Sequence, residues 1–133
     1  MVEKLFNQTS VILSVICGGI ASYLGGWDVL LKTIVMLAIL DYATGILKAV
    51  YQKQLSSEIG FKGIIKKVMM FLVICASYSL QSVISKQVPL REITIMFFII
   101  NEGISLLENA SELIPVPDKI KEVLLQLRDK EDK

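Results

Sequence analysis

Between Leu30 and Ala49 the chain holds an apolar run of membrane-spanning length, and near its middle stands an acid, Asp41. A carboxylate at the bilayer centre costs at least about 2.5 to 3.5 kcal/mol, so a chain that keeps one there supplies a polar face, a partner or a water-filled cavity. The run points to an integral membrane protein.

Composition agrees. Of 133 residues 53% are hydrophobic and 20% charged, with a mean hydropathy of +0.61, which suits one small membrane domain over residues 1–133. A net charge of +1 leaves no basic face for nucleic acid. The chain has no histidine, which excludes a conventional zinc centre and histidine-based hydrolysis. Cys17 and Cys75 lie singly inside apolar stretches and read as free thiols, not a disulfide framework. Val11 to Ile20 has the length of a signal-peptide core, but Glu3 beside Lys4 gives no positive excess and Ile16 is too large to precede a lipoprotein cysteine. The full chain is expected to persist.

Four apolar segments follow one another, at about residues 5–24, 30–50, 64–84 and 92–113. The first is interrupted by Asn7, Gln8 and Ser10 and either spans the bilayer or lies along its surface. Ser14, Gly18, Ser22 and Gly25 put small side chains on roughly one of its faces. Gly25 to Asp28 mark a turn that predicts a hairpin, and Trp27 suits a membrane interface. In the second segment Ala38, Asp41, Gly45 and Ala49 share a helical face. The fourth carries Asn101, Ser105, Glu108, Asn109 and Glu112 on one broad face. Pro115 and Pro117 end it, and residues 117–133 read as an amphipathic tail closing on the charges Arg128 to Lys133.

Lys48, Lys53, Lys62, Lys66 and Lys67 stand against Glu58 alone, giving the connection between the second and third segments a net charge of about +4. Ser56, Ser57, Gly60 and Gly63 punctuate it as a loop, with Lys86 to Arg91 forming a short turn further on. The positive-inside rule puts the basic loop at the cytoplasmic membrane surface, where lipid headgroups account for it, and puts the charged tail on the same side.

Asp41 and Glu102 each lie roughly 15 Å from the outer side at 1.5 Å per residue, hence at one depth. Sharing a proton, accepting hydrogen bonds from Asn101, Ser77, Tyr78 or Thr44, or facing water lowers the cost of burying them. No nucleophile, metal cluster or phosphate-cradling loop accompanies them, so neither an enzyme nor a cofactor is expected. An ion-coupled transporter or accessory membrane subunit, with the two acids as ion sites, is the alternative to a self-assembling helical protein; the chain shows no repeated halves.

The blocks DYATGILKA at Asp41 to Ala49, Ser56-Ser57 with Gly60 and Gly63 before Lys66-Lys67, and NEGISLLEN at Asn101 to Asn109 followed by Pro115 resemble the toxin-secretion and phage-lysis holin family (bacteriophage holin family 4). The resemblance runs from about Leu30 to Leu127. It implies an all-α, polytopic protein of phage or prophage origin, with three to four membrane helices and a C-terminal amphipathic cytoplasmic helix. Such a protein gathers in the bacterial cytoplasmic membrane, homo-oligomerises and opens lesions that release an endolysin or a toxin. Under this reading Asp41, Thr44, Gly45, Asn101, Glu102, Ser105, Glu108 and Asn109 form the helix-packing or pore-lining surface.

Overall fold

The computed structural model describes residues 1–84 and 87–132; Lys86 of the expected turn and Lys133 of the charged tail lie outside the described residues. Those described residues form five α-helices and no strand: α1 (Val2–Tyr23), α2 (Val29–Tyr51), α3 (Ser57–Ile84), α4 (Leu90–Ser111) and α5 (Asp118–Glu131). By length and composition α1 and α2 are apolar enough to cross a membrane.

Local chemistry sets the helix ends. The Gly26 N–H donates to Ala21 O at 2.8 Å, and Gly25 and Gly26 take φ of 92° and 100°, a conformation that stops α1 and suits glycine. Asp28 caps α2, its Oδ1 accepting from Leu31 N–H at 2.9 Å. Where α2 ends, Lys53 itself takes the left-handed conformation (φ 55°), and Gln54 N–H returns to Ala49 O at 2.9 Å. Ser56 Oγ accepts from Ile59 N–H at 3.2 Å and opens α3.

That start places α3 seven residues ahead of the expected Ile64, so Gly60, Lys62 and Gly63 are helical and not loop residues, and Lys66 and Lys67 lie well inside the helix. Tyr42 of α2 explains the two glycines: its hydroxyl donates to Gly60 O at 3.2 Å, and its ring lies where a Gly63 Cβ would come within 3.0 Å. Bare backbone lets the ring settle on α3.

The core is a slender seam. Leu31, Ile34 and Ala38 of α2 meet Met70 and Ile74 of α3 and Ile95 of α4, with Leu24 closing one end. α4 is the hub, packing most extensively on α2 and also on α3 and α5. The expected α1–α2 hairpin does not form: the turn is present, yet α1 makes no packing contact with α2 and touches α3 only slightly. The Arg91 side chain occupies the inside of that turn. None of the described residues of α1 is buried, and Gly18 and Gly19 face open space.

Candidate functional site

Three helices each turn one charged side chain into the seam at the same level. On α2 the inward row Leu31, Ile34, Ala38 reaches Asp41. On α3 the row Ser77, Ile74, Met70 leads at spacings of three and four to Lys67. On α4 the spacing of Arg91, Ile95, Phe98 brings Glu102 to the same face. The Lys67 ammonium pairs with both Asp41 Oδ2 and Glu102 Oε2. The side chains are 18%, 11% and 15% exposed respectively, so the network is shielded from solvent and its Coulomb attraction is little screened.

Asp41 is further held by Asn109, whose Nδ2 donates to Asp41 Oδ1 at 3.1 Å, to Asp41 O at 3.3 Å and to Thr44 Oγ1 at 3.3 Å. The Thr44 hydroxyl donates back to Leu40 O at 2.8 Å. Gly45 lies beside this arrangement, and a Cβ there would make ordinary van der Waals contact with Asn109 Nδ2 at 3.6 Å. The structure thus brings together Asp41, Thr44, Gly45, Glu102 and Asn109 of the residues singled out by sequence. It does not bring the rest into the cluster. Glu108 turns to Lys121 of α5 at 3.8 Å, while Asn101 and Ser105 are half-buried and make no side-chain hydrogen bond among the described residues.

Of the five lysines assigned to the basic loop, Lys53, Lys62 and Lys66 are exposed and Lys48 is half-buried, with Lys62 paired to Glu58 at 2.8 Å. Lys67 departs from that group. It is the counter-ion of both acids, and its neighbour Lys66 had masked the difference in the sequence. The signal was the period: Lys67 continues the row Met70, Ile74, Ser77, and Lys66 does not.

A second buried charge, Arg91, is 2% exposed. Its Nε donates to Leu24 O at 2.5 Å, Nη2 to Gly26 O at 3.1 Å, and Nη1 and Nη2 to the two Asp28 oxygens at 2.7 and 3.1 Å. Gln81 Oε1 of α3 accepts the Arg91 backbone N–H at 2.9 Å. The guanidinium hydrogen bond is the main reason the Asp28 carboxyl is pushed down to about 2. Burial opposes that shift, and the Leu31 N–H and the Arg91 charge assist it. Among the described residues no group of His, Cys, Asp and Glu side chains is placed to hold a metal ion. Chemically the arrangement is an electrostatic fastening of α2, α3 and α4 at two levels.

Residues 18–129 match the bacteriophage holin family. The chain is 39% identical over 108 residues to an uncharacterized 14.9 kDa protein of Clostridium perfringens, covering 80% of this chain and 82% of that one. It is 29% identical to an uncharacterized protein of Halalkalibacterium halodurans over 98% of this chain and 99% of the relative. A probable holin of Bacillus phage phi105 is 31% identical, with 77% of each chain covered. No solved structure matches.

Proposed function

The chain belongs to the bacteriophage holin family, and from that premise we propose that it is a non-enzymatic holin, assembling in the bacterial cytoplasmic membrane and opening lesions that release an endolysin or a toxin. The observation that carries this reading is an inside-out distribution of side chains. Met36 and Ile39 are each 63% exposed, and Val15, Val68, Leu72 and Ile93 are also exposed. Asp41 at 8% and Arg91 at 2% are buried. In water that exterior is unfavourable at roughly 25 cal/mol per Å²; in lipid it is not.

In this proposal α2, α3 and α4 cross the membrane and α1 lies in it as a fourth, separate helix. Tyr23 and Trp27 sit at the outer interface, and Lys48, Lys53, Lys62 and Lys66 meet headgroups on the cytoplasmic side together with the C-terminus. Within one chain Lys67 and Asn109 satisfy the acids, so dispersed subunits tolerate hydrocarbon. When many copies gather, the face bearing Asp41, Thr44, Gly45, Asn101, Glu102, Ser105, Glu108 and Asn109 packs helices or lines water.

The test is induced expression in a bacterial host, reading membrane fractionation, cross-linked oligomers and release of both a small dye and a folded cytoplasmic reporter enzyme. Membrane-bound oligomers with release of the enzyme are expected. A membrane-bound monomer that passes only small ions would overturn the holin in favour of an ion-coupled carrier.

A further inference from the structure

The apolar exterior and the position of α5 demand different membrane boundaries. α5 folds back along α4 antiparallel to it: Lys121 pairs with Glu108 at 3.8 Å, and three residues on, Leu124 packs on Gly103, where an added Cβ would lie 3.3 Å from Leu124 Cδ1. Gly103 adjoins Glu102, so Leu124 is already level with the Lys67 cluster. Arg128, Asp129 and Lys130 follow Leu124 along the helix. A docked α5 therefore keeps hydrocarbon from reaching past the cluster, because those charges would enter it. On α2 only the stretch from Val29 to Asp41 is then left for lipid, about 18 Å at 1.5 Å per residue against a hydrocarbon core of about 30 Å.

The inner half of the bundle is nevertheless built for lipid. Leu47, Phe61, Ile64 and Ile65 lie on the far side of the cluster and are 58%, 64%, 50% and 48% exposed. A single placement does not satisfy both. We propose that α5 is a releasable strap: docked, it holds the inner half of α4 out of the hydrocarbon, and its release lets α2–α4 take up their full span, with acyl chains replacing α5 on the Gly103 face. The attachment suits release. Among the described residues α5 packs on α4 alone, follows a segment containing Pro115 and Pro117, and its ion pair to Glu108 is solvent-accessible, where such pairs are weak.

This rests on the holin reading, and the test separates the two. In a Cys17→Ser/Cys75→Ser background, Gly103→Cys with Leu124→Cys places thiols across the contact, to be bridged by a disulfide or a short bis-maleimide. The full chain is expressed in a bacterial host whose cytoplasm is made oxidising by loss of its thiol-reducing pathways, so that the disulfide forms, and reporter-enzyme release is timed before and after adding a membrane-permeant thiol reductant. The disulfide-bridged strap is expected to abolish release, with reduction restoring it, which also shows that the arrested protein is folded. Leu124→Asp, which loosens the contact while leaving the residues of α2, α3 and α4 unchanged, should bring release forward. Should bridged and reduced proteins release equally, the strap is overturned while the holin reading stands; should the unbridged parent fail to release, that reading falls first. A bis-maleimide bridge that leaves timing unchanged likewise counts against the strap.

Discussion

The Arg91 guanidinium closes a two-pronged bond on the Asp28 carboxylate, at 2.7 and 3.1 Å, across a sequence separation of 63 residues. The same group reaches Leu24 O and Gly26 O, so one side chain ties the α1–α2 turn to the start of α4. Arg91→Ala leaves Leu24 O without this donor in a buried position. Charge-assisted hydrogen bonds of this kind contribute about 1.5–3 kcal/mol, so a loss of at least about 2 kcal/mol is expected. Arg91→Lys should recover only part of it, since an ammonium lacks the planar fork. Unfolding midpoints in detergent check this, and equal midpoints for Ala and wild type would refute the clamp.

The Asp28 carboxyl, held down to about 2 from 3.8, gives the clamp a defined pH dependence. A depressed folded-state value means the contribution is complete above the unfolded value near 3.8 and lost as pH falls through about 2. Wild type should therefore exceed Asp28→Asn in thermal midpoint at pH 6. The gap should narrow below pH 4 and close toward pH 2. A gap that instead narrows on raising the pH would contradict the assignment.

Gly25 and Gly26 share positive φ, 92° and 100°, but not surroundings. A Cβ on Gly25 would run into Arg91 Nε and Cδ, whereas one on Gly26 meets nothing within 4 Å. Alanine at Gly26 should cost about 1–2 kcal/mol of backbone strain. Gly25→Ala should cost more and should lose the salt-bridge pH dependence described for Asp28. Comparison of the two variants in the same melt decides it.

Tyr42→Phe removes the hydroxyl bond to Gly60 O and should cost about 1 kcal/mol. Gly63→Leu is expected to do more damage, because the Tyr42 ring stands 3.0 Å from where a Cβ begins. Proximity labelling between α2 and α3 reads the separation directly. An unchanged distance in Gly63→Leu would remove these glycines from the α2–α3 crossing.

The helical class was legible because hydropathy and period are local properties: apolar runs divided by Gly25–Asp28 and Pro115–Pro117 delimit helices without tertiary information. The row of small residues Ala38, Gly45 and Ala49 around Asp41 was legible for the same reason. Lys67 and Arg91 were not. Each sits beside other polar residues, Lys66 and Glu92, and composition averaged over a few positions assigns such stretches to a loop or turn. Their burial is decided by a partner distant in sequence: Asp41 is 26 residues from Lys67, and Asp28 is 63 from Arg91. The missing α1–α2 hairpin has the same origin, since the side chain occupying the turn comes from α4.

The Lys67 network allows fold and function to be separated by substitution. Lys67→Met leaves two buried carboxylates without their counter-ion, and breaking a buried network in this way costs about 3–5 kcal/mol. Removing all three charges at once, with Asp41→Leu, Lys67→Met and Glu102→Leu, leaves no unpaired charge, and such replacements are often neutral or stabilising by about 1–4 kcal/mol. The triple variant should thus insert and fold at least as well as wild type, while the single variant is degraded or aggregates. If these groups serve only to hold the monomer together, the triple variant will release the reporter enzyme on the wild-type schedule. If they pack subunits or face water in the lesion, it will accumulate in the membrane with altered oligomers and no release. Timing release and resolving oligomers in the same cultures distinguishes the outcomes, and wild-type timing with wild-type oligomers removes the acids from lesion formation.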